Sequence, residues 1–370
     1  MKPVRKRPFL TATAAIVTVG LLSFWGLAQR TTTAAAPQPG PVSDSIGIAP
    51  GSGLAWESAA DMGRDLDAIR AAGASWVRLD VDWSSIEMTR GTQNWSRIDR
   101  AVDAAGARNL KVLGIATYAP HWAQDASMPA DNTHGRPADA ELFATFAAQA
   151  AQHFNGRIGA WEIWNEPNLS SFFAPKVDPA FYTEMLRASY KAVRAAVPDA
   201  IVLNGGLAPA ADSADGAFMS PLTFIRAMYA NGGKDSTDAL ALHPYSYPEL
   251  LSAQRADVWA PHVWVRAVHD LMESNGDNDK KIWFTEFGAP SATVSWDGRQ
   301  VAIDEQKQAR SSPTGWPLRT RCHTWEWCFS TTHVTARPVA TTSRTTSVCC
   351  ARTSPRSRRT RPCSVKLQKT

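Results

Sequence analysis

The chain has 370 residues, enough for one large domain with flanking segments, and its 39 Lys/Arg against 34 Asp/Glu give a net charge of +5. That surplus is confined to the ends: residues 1–36 hold five basic and no acidic residues, residues 310–370 hold twelve basic residues and one acid, Glu326, and residues 37–309 keep 22 basic against 33 acidic. An acidic body argues against the nucleic-acid partner that a basic chain would otherwise suggest. All five cysteines lie at or after Cys322, at spacings too irregular for a disulfide framework or a zinc site.

Lys2, Arg5, Lys6 and Arg7 precede a mostly apolar run from Phe9 to Ala28, the pattern of an export signal, and Ala34-Ala35-Ala36 offers a cleavage site. About 20 apolar residues also suffice to span a bilayer, so an uncleaved membrane tether is the alternative. Either reading puts the body outside the cytoplasm, secreted or held at the cell envelope. Residues 37–44 continue a Thr/Ala/Pro-rich stretch and read as a linker.

From residue 45 short apolar strands alternate with amphipathic helical stretches, which implies a parallel sheet. Ile46-Gly47-Ile48 is the first expected strand, followed by a helix over 57–73. Trp76 to Trp83 is the second, with Arg78, Asp80 and Asp82 embedded in it. Lys111 to Pro120 is the third and leads into His121-Trp122. The run Trp161-Glu162-Ile163-Trp164-Asn165-Glu166-Pro167-Asn168 is the fourth. Ala200 to Asn204, running into Gly205-Gly206, is the fifth. Ala239 to Leu242, running into His243-Pro244-Tyr245, is the sixth. Ile282 to Glu286 is the seventh. Each polar cluster falls where a strand ends, and a β/α barrel gathers those ends at one rim.

The fourth and seventh strands share a design, an apolar run that ends in a glutamate beside a Gly or Pro turn. Glu166 and Glu286 are 120 positions apart, three βα units of ordinary length. Two such carboxylates are what glycoside hydrolysis needs, one as acid/base and one as nucleophile. Asn165-Glu166-Pro167 and Thr285-Glu286-Phe287-Gly288 resemble the two catalytic motifs of retaining glycosidases in the large (β/α)8-barrel clan, closest to the cellulase-like family 5 and the xylosidase-like family 39. The resemblance covers roughly residues 45–309. It implies a TIM barrel of class α/β, with Glu166 as acid/base and Glu286 as nucleophile. It also implies that Arg78 supports the nucleophile, that Asn165 bonds the sugar 2-hydroxyl, and that His243 and Tyr245 hydrogen-bond beside the nucleophile. No metal or organic cofactor is implied, and a β-linked glycan is the expected partner of a monomeric enzyme.

Trp122, at a strand-end loop, is a candidate for stacking on a sugar ring, or else a plug in the barrel top. Trp83, Phe172, Phe173 and Trp296 are further aromatics for the cleft wall. His243 has no matching ligand spacing for a metal and is otherwise a structural histidine. Glu162, four residues before Glu166, reads as a buried structural carboxylate paired below the site. The sequons at Asn94 and Asn168 are discounted, because the Ala/Arg-rich composition suggests a GC-rich bacterial source.

After Arg310 the periodicity vanishes and Arg, Thr, Ser, Pro and Cys dominate, so no eighth strand is legible. Reading the codons one base out of register lets Arg321 to Val334 spell Pro-Tyr-Val-Gly-Val-Val-Leu-Phe-Tyr, a credible buried strand. The Gly there is dictated by the codons of Trp325 and Glu326, and one Val by those of Trp327 and Cys328. Residues 310–370 are therefore read as an aberrant, disordered tail beyond a reading-frame slip, and the barrel as incomplete; resequencing the gene decides it. A genuine basic tail for an anionic partner is the alternative. The expected function is hydrolysis of O-glycosidic bonds. The competing readings are a carbohydrate-binding pseudoenzyme and a basic-tail adhesion or nucleic-acid binder.

Overall fold

The structure, a computed structural model, describes residues 46–129, 131–249, 260–296, 299–304, 306, 308, 325–331 and 345–346. The expected export signal, its cleavage site, the linker and most of the 310–370 tail lie outside these residues. Among the described residues no helix is long and apolar enough to cross a membrane.

Seven parallel strands form the wall: β1 (Ile46–Ala49), β2 (Trp76–Asp82), β3 (Lys111–Thr117), β4 (Ala160–Ile163), β5 (Ile201–Asn204), β6 (Ala239–Leu242) and β7 (Lys281–Phe284). They pair in sequence order around the ring. The longest ladder runs from Trp76 opposite Lys111 to Asp82 opposite Thr117. Helices α1 (Ala59–Ala71), α2 (Trp83–Ile86), α3 (Ser96–Gly106), α4 (Ala140–His153), α5 (Pro179–Ala196), α6 (Pro221–Ala230) and α7 (Pro261–Ser274) occupy the crossovers. Local chemistry starts them. The side chains of Ser58, Asp139, Asp178 and Ser220 accept N–H groups of the first turns of α1, α4, α5 and α6. Proline opens α5, α6 and α7, where its missing N–H costs nothing.

The sheet is buried on both faces, as a parallel sheet covered by helices must be. Strands β4 and β6 have every residue buried. Trp83 lies wholly in the core, stacked on Phe146 at 5.1 Å, and Phe173 is likewise fully buried. Neither lines a cleft, which corrects the sequence expectation; both sit beneath the loops rather than at their surface.

Past β7 come β8 (Ala289–Pro290) and the antiparallel pair β9 (Thr293–Trp296) and β10 (Arg299–Ala302). The backbone of β11 (Trp325–Thr331) then pairs with β7 on one side and β1 on the other, closing the ring. A two-residue strand, β12 (Thr345–Thr346), pairs with β8. Sequence reading found no strand in the printed frame at 325–331, because the Arg/Thr/Ser/Pro surroundings hide a short aromatic run, Trp-Glu-Trp-Cys-Phe-Ser-Thr, that suits a strand. This is also the stretch in which the shifted frame spells one. The last part of the barrel is incomplete nonetheless: after α7 the described residues include only the isolated helical positions 306 and 308, and β11 meets β7 with a register shift between Trp325 and Trp327.

Candidate active site

The site begins with β2, where successive side chains alternate between faces. Arg78, 5% exposed, points inward and donates to three partners at once. Its Nε reaches Glu162 Oε2 at 2.9 Å, Nη2 reaches Glu162 Oε1 at 3.2 Å and Asn165 Oδ1 at 3.0 Å, and Nη1 pairs with Glu286. One guanidinium thus ties β2 to the ends of β4 and β7, a task for which its fixed fork is suited. Glu162 also accepts the Gly206 N–H at 2.6 Å and the Thr285 hydroxyl at 3.2 Å. Burial pushes its carboxyl up, but Arg78 and the protonated His243 outweigh burial and bring it to about 2. It is buried and paired with Arg78 four residues before Glu166 on the chain, as the sequence suggested.

Glu166 is placed differently from the expectation of a continuous strand. β4 stops at Ile163, and Trp164 (φ 73°) and Glu166 (φ 47°) both adopt left-handed backbone, a costly conformation for residues with a Cβ. The kinked segment is held from outside. Trp164 N–H donates to Ala116 O at 2.9 Å, its indole to Phe172 O at 2.7 Å, and Glu166 N–H to Gly206 O at 3.1 Å. From α5, the Tyr182 hydroxyl donates to Ile163 O at 2.9 Å and accepts Gly205 N–H at 2.7 Å. The close approach explains Gly205-Gly206: a Cβ on Gly205 would lie 2.7 Å from Trp164 O, and one on Gly206 would collide with the His243 ring and the Thr285 hydroxyl. The sequon asparagine Asn168 is fully buried, donating to Ala208 O and Met219 O, with no room for a glycan.

His243, fully buried at the end of β6, joins the two halves. Burial lowers its pKa, but Glu286, Glu162 and Glu166 raise it to about 9, so the ring is protonated at neutral pH. Its Nδ1 donates to Glu166 Oε1 at 2.9 Å and lies 4.0 Å from Glu286 Oε2, while Nε2 faces Thr285 Oγ1 at 3.2 Å. Tyr245 donates its hydroxyl to Glu286 Oε2 at 2.7 Å. For Glu286, burial again works upward, yet His243, Arg78 and the Tyr245 hydrogen bond hold the carboxyl below its ordinary range. Ligand-type atoms of Glu166, His243 and Glu286 all lie within 4.8 Å of one another. All three are already engaged, and Arg78 sits on Glu286, which opposes a cation there.

Six of the seven residues singled out from the sequence, Arg78, Asn165, Glu166, His243, Tyr245 and Glu286, therefore meet in one hydrogen-bonded cluster. Trp122 is engaged elsewhere. Its indole N–H donates to Glu87 O at 2.8 Å, its ring packs edge-on against Trp83 at 5.4 Å, and the Arg90 guanidinium lies 5.4 Å above it. Phe172 packs on His134 at 5.0 Å, and the Trp296 side chain lies outside the described residues. Three contributors were missed: Thr285, Gly206 and Tyr118. The first two belong to motifs already quoted. Tyr118 (φ 44°) follows β3, and its hydroxyl lies 3.4 Å from Asn165 Nδ2; its strand-end position was the available signal.

With this geometry in hand, comparison with known families is decisive. Residues 42–321 match the family model of cellulase (glycosyl hydrolase family 5). The chain belongs to that family. Among solved structures, the family 5 chain resembles a family 39 glycoside hydrolase from Bacteroides cellulosilyticus WH2, at 23% identity and TM-score 0.53, over 71% of this chain and 51% of that one. It also resembles a family 39 β-xylosidase from Caulobacter crescentus, at 18% identity and TM-score 0.52, over 79% of this chain and 63% of that one. These likenesses establish the barrel fold, and the family 5 chain spans about half to two thirds of the length of these structures. No curated protein matches the sequence.

Proposed function

We propose that this family 5 chain hydrolyses β-linked glycans with retention, through a covalent glycosyl-enzyme. Glu286 attacks the anomeric carbon while Glu166 protonates the leaving oxygen. Glu166 then takes a proton from the water that releases the sugar. The observation that carries the reading is the separation of the carboxylates: oxygens of Glu166 and Glu286 lie within 4.8 Å. Retaining enzymes hold the pair about 5–5.5 Å apart, whereas inverting ones leave about 6.5–9.5 Å for a water. The environments support the division of labour. Glu286 is kept ionised by Arg78, His243 and Tyr245, as a nucleophile requires. Asn165, anchored by Arg78 and next to Glu166 in the chain, offers its amide to a sugar hydroxyl.

The test is a pair of variants on an aryl β-glycoside with a good leaving group. Glu286→Ala is expected to abolish turnover, and Glu166→Ala to be partly rescued by azide with a glycosyl azide as product. Equal, unrescued loss in both variants overturns the assignment, and an inverted anomer in the NMR spectrum of the first-formed product overturns retention. The N-terminal basic and apolar run supports export to the cell envelope or beyond, tested by fusing residues 1–44 to a reporter active only outside the cytoplasm.

A further inference from the structure

The ladder between β4 and β5 breaks off just before Glu166. Its register runs from Ala160 opposite Ile201 to Ile163 opposite Asn204, and one of its rungs joins the Ile201 N–H to Gly159 O at 3.1 Å. Rungs of a parallel pair recur evenly, at every second residue of each strand. Counting on from Ile201 and Gly159, a later rung would join the Gly205 N–H to Ile163 O. That bond is replaced by two in series. The Gly205 N–H donates to the Tyr182 hydroxyl at 2.7 Å, and the hydroxyl donates to Ile163 O at 2.9 Å. A side-chain oxygen from α5 thus stands where two backbones would otherwise meet.

The insertion comes at a critical place. Ile163 is the last residue of β4, Trp164 is the first of the two left-handed residues, and Glu166 is the second. Such conformations persist only where the surroundings over-determine them. Tyr182 is well fixed for that task. It is fully buried, with its ring 5.3 Å from Phe224 and 5.9 Å from Phe173. It belongs to the opening of α5, where the Asp178 side chain caps the Phe181 N–H and is itself held by Arg136 at 2.7 Å. Burial pushes the ionisation of the hydroxyl well above the ordinary tyrosine range, so it keeps the proton that it donates.

Resting on the glycosidase reading above, we propose that Tyr182 is a positioning residue for the acid/base: its hydroxyl takes the place of a ladder rung and so sets the turn that aims Glu166 at the leaving oxygen. The nucleophile is held by other means, since Glu286 follows β7 and is engaged by Arg78 and Tyr245. Without the hydroxyl, the Gly205 N–H and Ile163 O are free to close on each other. That closure draws residues 164–166 toward β5 and the Glu166 carboxylate away from His243.

The experiment measures kcat/KM, which reports the first chemical step, for wild type and Tyr182→Phe over a series of aryl β-glycosides of the sugar that wild type accepts. The series runs from 2,4-dinitrophenyl, whose leaving group departs without a proton, to phenyl, whose leaving group needs one. The variant should lose about tenfold or more on the phenyl glycoside, as a misplaced acid does, and less than about twofold on the dinitrophenyl one. Phe224→Leu disturbs the packing of the same ring but leaves both hydrogen bonds, and should lower the denaturant midpoint with the leaving-group dependence unchanged. Equal losses across the series for Tyr182→Phe, or no loss at all, overturn the proposal. Should Tyr182→Phe fail to fold, 4-aminophenylalanine incorporated at position 182, a donor to Ile163 O but a poor acceptor of the Gly205 N–H, enters the same comparison with the same expectation. A crystal structure of the variant is the readout independent of turnover. Where wild type cleaves no glycoside the hydrolytic reading falls, and a Glu166 displaced from His243 in that structure still upholds the role of Tyr182 in placing the carboxylate. A Glu166 that stays in hydrogen-bond contact with His243 overturns it.

Discussion

Replacing Glu162 by Gln tests the electrostatic logic of the whole site, because Glu162 touches no substrate in the proposed mechanism. The side chain is fully buried and takes two hydrogen bonds from Arg78, one from the Gly206 amide and one from Thr285. Glutamine keeps the shape but removes one of the two charges that balance Arg78, the other being Glu286. Two arguments bound the cost. Leaving a buried ion-pair partner wholly uncompensated costs about 3–5 kcal/mol, an upper bound here because Glu286 remains. A carboxyl lowered from 4.5 to about 2 contributes about 3 kcal/mol, at about 1.4 kcal/mol per pH unit. The sign follows from the lowered value: this stability is present above pH 4.5 and is lost as pH falls through about 2. Denaturant unfolding at pH 7 and at pH 3 is the assay. Glu162→Gln should be less stable by about 3 kcal/mol at pH 7, with the gap narrowing at pH 3. Turnover should fall as well, since Arg78 also positions Glu286 and Asn165. A variant as stable as wild type at pH 7, with the same acid sensitivity, would refute the reasoning.

Tyr245→Phe removes a hydrogen bond that favours ionised Glu286, worth about 1.5–3 kcal/mol to a charged acceptor. The acid limb of the kcat/KM–pH profile should therefore move up by about one to two pH units. Gly206→Ala should displace the His243 ring and cost about a hundredfold in kcat with the circular dichroism spectrum preserved, as a shift of about 1 Å in a catalytic group does. Asp80→Asn should stabilise the fold by about 1–3 kcal/mol at pH 7.5. An aspartate raised by burial from 3.8 to about 6 destabilises the folded state once ionised, and the difference should close as pH falls to 4, read from denaturant midpoints.

The pair Glu166 and Glu286 was legible because a carboxylate at the end of a buried strand is conspicuous, and the two repeat the same strand, acid and turn. Arg78 was legible for the same reason, as a cation inside a strand. How Glu166 is held was not legible. The left-handed turn at Trp164 and Glu166 depends on the carbonyls of Ala116 and Gly206, which come from neighbouring strands and the loop after one of them, and on that of Phe172 in the following loop. Trp122 shows the converse. An aromatic residue on a strand-end loop has the same appearance whether it faces a ligand or, as here, donates to Glu87 and packs on Trp83. Asp80 was within reach, since strand alternation places it on the face of Arg78, but that no donor reaches it among the described residues is visible only in three dimensions. β11 escaped notice because its flanks, rich in Arg, Thr, Ser and Pro, carry none of the strand–helix alternation that marked the shorter strands before it.

Where the ring closes has a bearing on how this protein could be repaired or rebuilt. Strands β4, β5, β6 and β7 are joined by consecutive ladders, so the spacing of Glu166 and Glu286 is set along one uninterrupted arc that never passes through β11. The seam lies on the far side, between β7 and β1. Exchanging the segment at that seam is thus a change to the hoop's clasp and not to the stones set in it: it should govern how long the vessel holds together, while the distance between the two acids stays as it is.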